Sequence, residues 1–334
     1  MSSLFPVSVL DVDRQSGKAP ILLADAPGDP ASWAAEHKDA LRAVVAEHGS
    51  VLVRGLDLRD AAEITAVFRR LSTGLMIERE AFAARRIYSD GVYSSATWPP
   101  KQPMCMHHEL SYTLEFPGLM LFACLSAPTQ GGATAVADSR AVLNALPADL
   151  VARFERDGWL LTRSYNDEIG ASVAESFGTE DRDAIESYCR ANAIAFEWQP
   201  DGGLRTWQRR SAVVQHPVTG QRCFFNQIAF LNEWTIDPEV REYLVEVYGA
   251  DGLPFNAWFG TGEPLTEEIV ELINQVYEAN TVRELWQAGD LMLVDNIGTA
   301  HSREAYQGPR EILVGMAEPV RLSAASPTNE VKPR

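Results

Sequence analysis

The chain has 334 residues, a formal net charge of −17 and 46% hydrophobic residues, enough for a large core in one domain with insertions or in two small ones. The acidic balance argues against a nucleic-acid partner, because phosphate binding needs clustered Lys and Arg. No apolar run is long enough for a membrane span, and the N-terminus lacks the pattern of a secretory signal. Four scattered cysteines without a CxxC pair argue against a disulfide framework and favour a cytoplasmic location.

The N-terminal part of the chain is predicted to alternate helices and short strands. A helical repeat that includes Leu41 and Val45 stops at Gly49, a residue suited to end a helix. The segment VLVRG at 51–55 follows as a short buried strand. Asp60 and Glu63 then have the spacing of a capping box, which predicts the start of a second helix.

From about residue 87 onward the pattern becomes mainly strands separated by turns. Four short apolar runs bounded by turn residues are predicted strands: LMLFAC at 119–124, CFFNQIAF at 223–230, DLMLVDN at 290–296 and EILVGMA at 311–317. An amphipathic helix after Pro264 carries Ile269, Ile273 and Val276 on one face. The sequence therefore predicts a mainly β fold with α decoration, of the jelly-roll type with two sheets.

The segment MCMHHELSY carries a candidate metal site. On a strand, His107 and Glu109 point to the same face while His108 points away. His301, after a later buried strand, is the candidate third ligand. Two histidines and one carboxylate leave three octahedral positions open, as in non-haem Fe(II) oxygenases. The same ligands also suit catalytic zinc, so spacing alone leaves both metals open.

Arg310 begins the strand after His301 and is a candidate anion-binding residue. A guanidinium that points into a barrel needs an anion, because a buried unpaired charge is costly. The distal carboxylate of 2-oxoglutarate would supply that anion, and a structural salt bridge is the alternative.

Four motifs occur in order: MHHELSY, PTQGGATAVADSRAVLNALP, HPVTGQRCFFNQ and WQAGDLMLVDNIGTAHSREAYQGPREILVGMAEP. With them the chain resembles the TauD/TfdA family of Fe(II)- and 2-oxoglutarate-dependent dioxygenases, most of all the SyrP-like branch found with nonribosomal peptide pathways. The resemblance implies a double-stranded β-helix, the jelly roll of clavaminate synthase-like proteins. We expect one domain over 1–334, with a helical N-terminal part and an insertion at about 140–285 between the metal-ligand strands.

The resemblance also implies roles for five residues. His107, Glu109 and His301 match the family's iron ligands, and Thr134 and Arg310 match the pair that binds the distal carboxylate of 2-oxoglutarate. Fe(II), 2-oxoglutarate and O2 are thus the expected cofactor and cosubstrates. Related halogenases replace the carboxylate ligand by a small residue, so Glu109 favours hydroxylation over halogenation.

Val314 narrows the expected substrate. Several relatives carry there a second arginine that binds a substrate carboxylate or sulfonate, and Val314 shares a strand face with Arg310. We therefore expect an amino acid, or an aminoacyl or peptidyl residue on a peptidyl carrier protein, in secondary-metabolite biosynthesis. A free amino acid bound by Arg85, Arg86 or Arg163 is the alternative.

Three further residues are candidate substrate contacts. Tyr93 and Trp98 lie in the segment before the metal pair, which lines or covers the pocket unless its aromatic residues only pack under a loop. Asn226 lies in a motif of this branch, and satisfying backbone groups is its alternative role. Desaturation, epoxidation or cyclisation, a zinc hydrolase, a non-catalytic binding protein and a homo-oligomer all remain open.

Overall fold

The computed structural model describes residues 12–13, 19–24, 28–165, 170–200, 202–249 and 252–321. The helices are α1 (Pro30–His48), α2 (Ala61–Leu71), α3 (Ser139–Ala145), α4 (Ala148–Asp157), α5 (Val173–Phe177), α6 (Arg182–Ala191), α7 (Pro238–Tyr248) and α8 (Glu267–Ala279). A short 3-10 helix covers Glu233–Thr235.

The strands are β1 (Val12–Asp13), β2 (Ile21–Leu23), β3 (Ser50–Arg54), β4 (Ile87–Ser89), β5 (Val92–Ser94), β6 (Met104–His107), β7 (Glu115–Ser126), β8 (Gln130–Gly131), β9 (Val136–Asp138), β10 (Trp159–Tyr165), β11 (Ala195–Trp198), β12 (Leu204–Arg210), β13 (Val213–Gln215), β14 (Arg222–Phe224), β15 (Phe255–Phe259), β16 (Thr281–Val282), β17 (Leu291–Asp295), β18 (Thr299–Arg303), β19 (Tyr306–Gln307) and β20 (Glu311–Arg321).

In the described part of the chain, eight strands form the main sheet in the order β1-β2-β3-β17-β7-β20-β5-β4. Successive side chains of β7 leave on opposite faces. Leu119 and Leu121 pack in the cluster that contains α1 and α2, whereas Met120 and Phe122 pack in the cluster on the other face. Because both faces are buried, the central strands are continuous apolar runs in the sequence. Three of the four predicted strands, at 119–124, 290–296 and 311–317, correspond to β7, β17 and β20.

A smaller sheet with the order β16-β9-β18-β6 faces the main sheet across the larger core cluster. Met104 and Val136 enter this core from the smaller sheet, and Phe122 and Val314 enter it from the main sheet. Two sheets around one shared core, antiparallel apart from the parallel β2–β3 pair, are the jelly-roll arrangement predicted from the sequence.

The local signals for the N-terminal helices are confirmed with one correction. Gly49 ends α1 in the left-handed conformation, with φ of 80°, and its N–H donates to the carbonyl of Val45. The side chain of Asp60 caps α2 by accepting from the N–H groups of Ala62 and Glu63. The capping box is not reciprocal, since Glu63 accepts from the backbone N–H of Arg59 instead of Asp60.

Between β9 and β16 lie α3 to α8 and the sheet β11-β12-β10-β15. The strand predicted at 223–230 is wrong beyond Phe224, where β14 ends. The rest of that run is a buried loop whose polar side chains satisfy its own backbone, as when Asn226 accepts from the N–H of Ile228. A buried loop and a buried strand have the same apolar signature. The single-domain organisation stays a prediction.

Among the described residues, no helix combines the length and the apolar character that crossing a lipid bilayer requires. The four cysteines, Cys105, Cys124, Cys189 and Cys223, are free thiols.

The contact of α2 with the main sheet gives a test of the fold. A Cβ at Gly315 of β20 would lie 2.7 Å from the ring of Phe68, which α2 buries against the sheet. We expect Gly315→Ala to lower the free energy of unfolding by about 1–3 kcal/mol, as overpacking in cores does. Gly74→Ala is the control, since no atom lies within 4 Å of the added Cβ. Equal urea unfolding midpoints for the two variants would contradict the packing.

Candidate active site

The three predicted metal ligands come together where β18 pairs with β6. His301 of β18 lies directly opposite His107, the last residue of β6. Glu109 lies in the turn after β6 and not on the strand, so the same-face argument for this pair was wrong. The turn nevertheless places the carboxylate of Glu109 close to the imidazole rings of His107 and His301. One ligand atom from each of His107, Glu109 and His301 lies within 4.8 Å of the other two, and all three side chains are buried.

Asn296, just after β17, holds the turn that carries Glu109. Its Oδ1 accepts from the backbone N–H of Glu109 at 2.8 Å. Its Nδ2 donates to the carbonyls of Glu109 at 3.0 Å and of Pro117 at 2.8 Å. Sequence reasoning missed this residue, and the available signal was a polar residue at the end of a buried strand. The turn has a fixed position because one buried amide satisfies two of its backbone groups and joins it to the carbonyl of Pro117 in β7.

The protonation states of His107 and Glu109 fit a divalent cation. Burial, with His301 nearby, lowers the pKa of His107 to about 3, so its ring is neutral. Nδ1 of His107 lies 2.8 Å from the carbonyl of Cys105 and donates to it, which leaves Nε2 with a free lone pair. Burial opposes ionisation of Glu109, but Arg85 and His301 hold its pKa well below the usual range. Two imidazoles and one carboxylate are donors that suit Fe(II).

His108, just after β6, points away from this centre. Its Nδ1 lies 2.6 Å from the carbonyl of Asn296, and its Nε2 lies 3.1 Å from the hydroxyl of Ser139. Burial lowers the pKa of His108 to about 4. A neutral ring that uses both nitrogens in hydrogen bonds has a structural role.

Arg310, just before β20, presents a guanidinium without an acidic partner. Its Nε donates to the carbonyl of Gly132 at 3.0 Å, and its Nη1 and Nη2 lie 3.4 Å from the hydroxyls of Ser95 and Thr134. Burial, together with Arg303, lowers the pKa of Arg310 to about 10. No carboxylate within the described ranges pairs with it, so the alternative of a structural salt bridge finds no support. A buried guanidinium that lacks a carboxylate partner favours an anionic ligand.

Thr134 completes the candidate anion site. Its Oγ1 accepts from Nε1 of Trp286 at 3.2 Å and lies 3.4 Å from Arg310. With both lone pairs used, the hydroxyl can only donate its own proton, which suits a carboxylate. Gly132 is required nearby, because a Cβ there would lie 3.2 Å from Cδ of Arg310 at a φ of 73°. Trp286 was not predicted from the sequence.

A single small cavity joins the two candidate sites. Its lining residues include seven that the sequence singled out, namely Arg85, His107, Glu109, Thr134, His301, Arg310 and Val314. The cavity measures about 40 Å³, so binding of 2-oxoglutarate requires lining side chains to move.

Comparison with known proteins identifies the family. Residues 22–317 match the family described as taurine catabolism dioxygenase TauD, TfdA family. The chain belongs to this family. It is therefore an Fe(II)- and 2-oxoglutarate-dependent dioxygenase, and the zinc hydrolase and the non-catalytic binding protein are set aside.

Individual relatives also match this chain over most of its length. The dapdiamide synthesis protein DdaC of Enterobacter agglomerans is 32% identical over 281 residues, which covers 84% of this chain and 85% of the relative. The solved structure of PvcB, described as an Fe, alpha-ketoglutarate dependent oxygenase from an isonitrile synthetic pathway, superimposes with a TM-score of 0.53 at 15% identity over 96% of this chain and 97% of PvcB. A taurine dioxygenase from Burkholderia xenovorans gives 0.53 at 17% identity over 95% and 96%. These structures confirm the fold.

A second, larger cavity of about 450 Å³ lies beside the TauD/TfdA metal site. Trp98 and Arg163 are among its lining residues. The ring of Phe230 lies between the two cavities, with its centroid 5.3 Å from that of His107 and 5.2 Å from that of Trp98. Sequence reasoning missed Phe230, because it lies in the run taken for a strand.

Two of the predicted substrate residues lie elsewhere. The hydroxyl of Tyr93 accepts from the backbone N–H of Glu78 at 3.0 Å, and Tyr93 is part of the core. The amide of Asn226 donates to the carbonyl of Ala212 at 3.2 Å, which agrees with the backbone role given as the alternative. Neither residue lines the small or the large cavity.

The three arginines considered as substrate anchors also differ in position. Arg86 has a side chain that is 71% exposed. Arg163 lines the large cavity and donates to the carbonyls of Glu80 and Ala81, both at 2.8 Å. Arg85 lines the small cavity.

The hydrogen bonds of Asn296 generate a testable expectation. Asn296→Ala frees the turn that carries Glu109, so Fe(II) affinity should fall about 10- to 100-fold, as for other groups that orient metal ligands. Anaerobic titration with Fe(II) measures this change. The control is Asn256→Ala, which removes another buried asparagine whose Oδ1 accepts from the N–H of Glu233. Equal loss of affinity in both variants would argue against a specific role for Asn296.

Proposed function

We propose that this dioxygenase hydroxylates an unactivated C–H bond of an amino acid, or of an aminoacyl or peptidyl residue on a carrier protein, in secondary-metabolite biosynthesis. The observation that carries the proposal is the lining of the small cavity, where a metal triad and the unpaired Arg310 lie beside the apolar Val314. Relatives named for dapdiamide synthesis and for an isonitrile synthetic pathway support a biosynthetic role.

In this proposal His107, Glu109 and His301 hold Fe(II), while Arg310 and Thr134 hold the distal carboxylate of 2-oxoglutarate. Iron, 2-oxoglutarate and O2 together supply an oxidant strong enough to attack an unactivated C–H bond. The protein would supply the ligand geometry and the charge that orients the cosubstrate. Glu109 occupies the position that a halide would need, which favours hydroxylation.

The apolar side chain at Val314 limits how the substrate is held. Val314 is buried and lines the metal cavity, so a substrate carboxylate or sulfonate beside it would have no cationic partner at that point. An ionised group left unpaired in a buried site is costly. A carboxylate masked as a carrier-protein thioester avoids this cost. Arg163 in the larger cavity is the candidate anchor for a free amino acid.

The larger cavity is the candidate substrate chamber. Aromatic and aliphatic side chains form most of its wall, including Phe82, Trp98 and Phe255. An apolar pocket of this kind favours a substrate with an apolar portion. Phe230 lines neither cavity, and its ring packs between Trp98 of the chamber wall and His107.

The cofactor assignment has a spectroscopic test. Anaerobic addition of Fe(II) and 2-oxoglutarate should produce a visible metal-to-ligand charge-transfer band. His107→Ala and His301→Ala should abolish both the band and substrate-dependent succinate formation, because each removes one of three ligands. Full activity in both variants would reject these residues as ligands.

The substrate class is tested by offering free amino acids and aminoacyl carrier proteins side by side. Intact-mass analysis should show the gain of one oxygen atom on a carrier-bound residue. A loss of two hydrogens would instead indicate desaturation. Oxidation of free amino acids alone would reject the thioester hypothesis.

A further inference from the structure

Arg85 lies in a buried row of alternating charges that ends at the candidate metal site. Its Nη2 lies 3.0 Å from Oε1 of Glu109, and its Nε lies 3.1 Å from Oε1 of Glu78. Its Nη1 donates to the carbonyl of Ser94 at 3.3 Å. The two ion pairs are buried from solvent, where hydrogen bonds between charged groups are strongest. Each guanidinium nitrogen already has a partner, so Arg85 is not available as a substrate anchor in this arrangement.

The contact with Arg85 distinguishes the two carboxylate oxygens of Glu109. Oε1 accepts from Arg85, while Oε2 is the oxygen 3.7 Å from Nε2 of His301, on the metal side. A free carboxylate can bind a metal through one or both oxygens. Binding through both would use a fourth coordination position, whereas 2-oxoglutarate and O2 together need three open ones.

We propose that Arg85 is a positioning residue that restricts Glu109 to a single metal-binding oxygen, so that the iron keeps its three positions for 2-oxoglutarate and O2. The inference rests on the metal ligands of the proposed function. Glu78 fixes the other edge of the guanidinium and offsets the positive charge that Arg85 would otherwise place beside a dication. Two carboxylates around one guanidinium leave the row attractive to a metal ion.

The proposal predicts that binding of metal and of 2-oxoglutarate respond differently to loss of Arg85. In Arg85→Gln, Glu109 is free to chelate, so Fe(II) affinity should be maintained or increased. Affinity for 2-oxoglutarate should fall about 10- to 100-fold, the usual range for groups that orient metal ligands. Both are measured anaerobically, the first by Fe(II) titration and the second by titrating the charge-transfer band. Arg86→Gln is the matched control, being the next residue with a side chain 71% exposed.

The two affinities together distinguish a positioning role of Arg85 from a general structural role. Parallel loss of both affinities, or no change in either, would overturn the proposal. If Arg85→Gln does not fold, Arg85→Lys is used, because one ammonium cannot bridge both carboxylates as the guanidinium does. The same divergence of the two affinities is expected there, and its absence would also overturn the proposal. A wild-type protein that shows no charge-transfer band would instead contradict the proposed function.

Discussion

The antiparallel pairing of β18 with β6 is the constraint on which the active site depends. This register sets His301 opposite His107 and shifts before Arg303. On its other edge β18 pairs with β9, with His301 opposite Val136, two residues after Thr134. One strand therefore brings the candidate metal ligands close to the candidate cosubstrate anchor. A slip of one residue would turn His301 to the opposite face of the sheet.

Polar groups in this core fall into two kinds. Asn296, His108 and Asn226 use their side chains to satisfy buried backbone groups, as a dry interior requires. Arg310 has no acidic partner among the described residues, and Nδ1 of His301 is buried without a hydrogen bond. Both residues line the small cavity, where an added ligand would supply the missing partners.

The sheet strands could be predicted because both faces of the main sheet are buried. This burial makes the central positions apolar, at 119–124 of β7, 291–294 of β17 and 312–317 of β20, and the turns that flank the strands are polar. The same signal failed after Phe224, where Phe225 and Phe230 belong to a buried loop. An apolar run indicates that a segment is buried but not which backbone conformation it has. A buried loop whose backbone groups bind asparagine and glutamine side chains therefore has the same apolar pattern as a strand.

The sequence by itself predicted which residues bind the metal and the anion. His107, Glu109 and His301 follow from ligand chemistry and from family motifs, both of which are properties of local sequence. Tertiary structure alone decided the partners of these groups: Asn296 and Arg85 for Glu109, and Trp286 for Thr134. These contacts join residues distant along the chain. They are formed by strand register and by turns such as the one after β6, which no local pattern encodes.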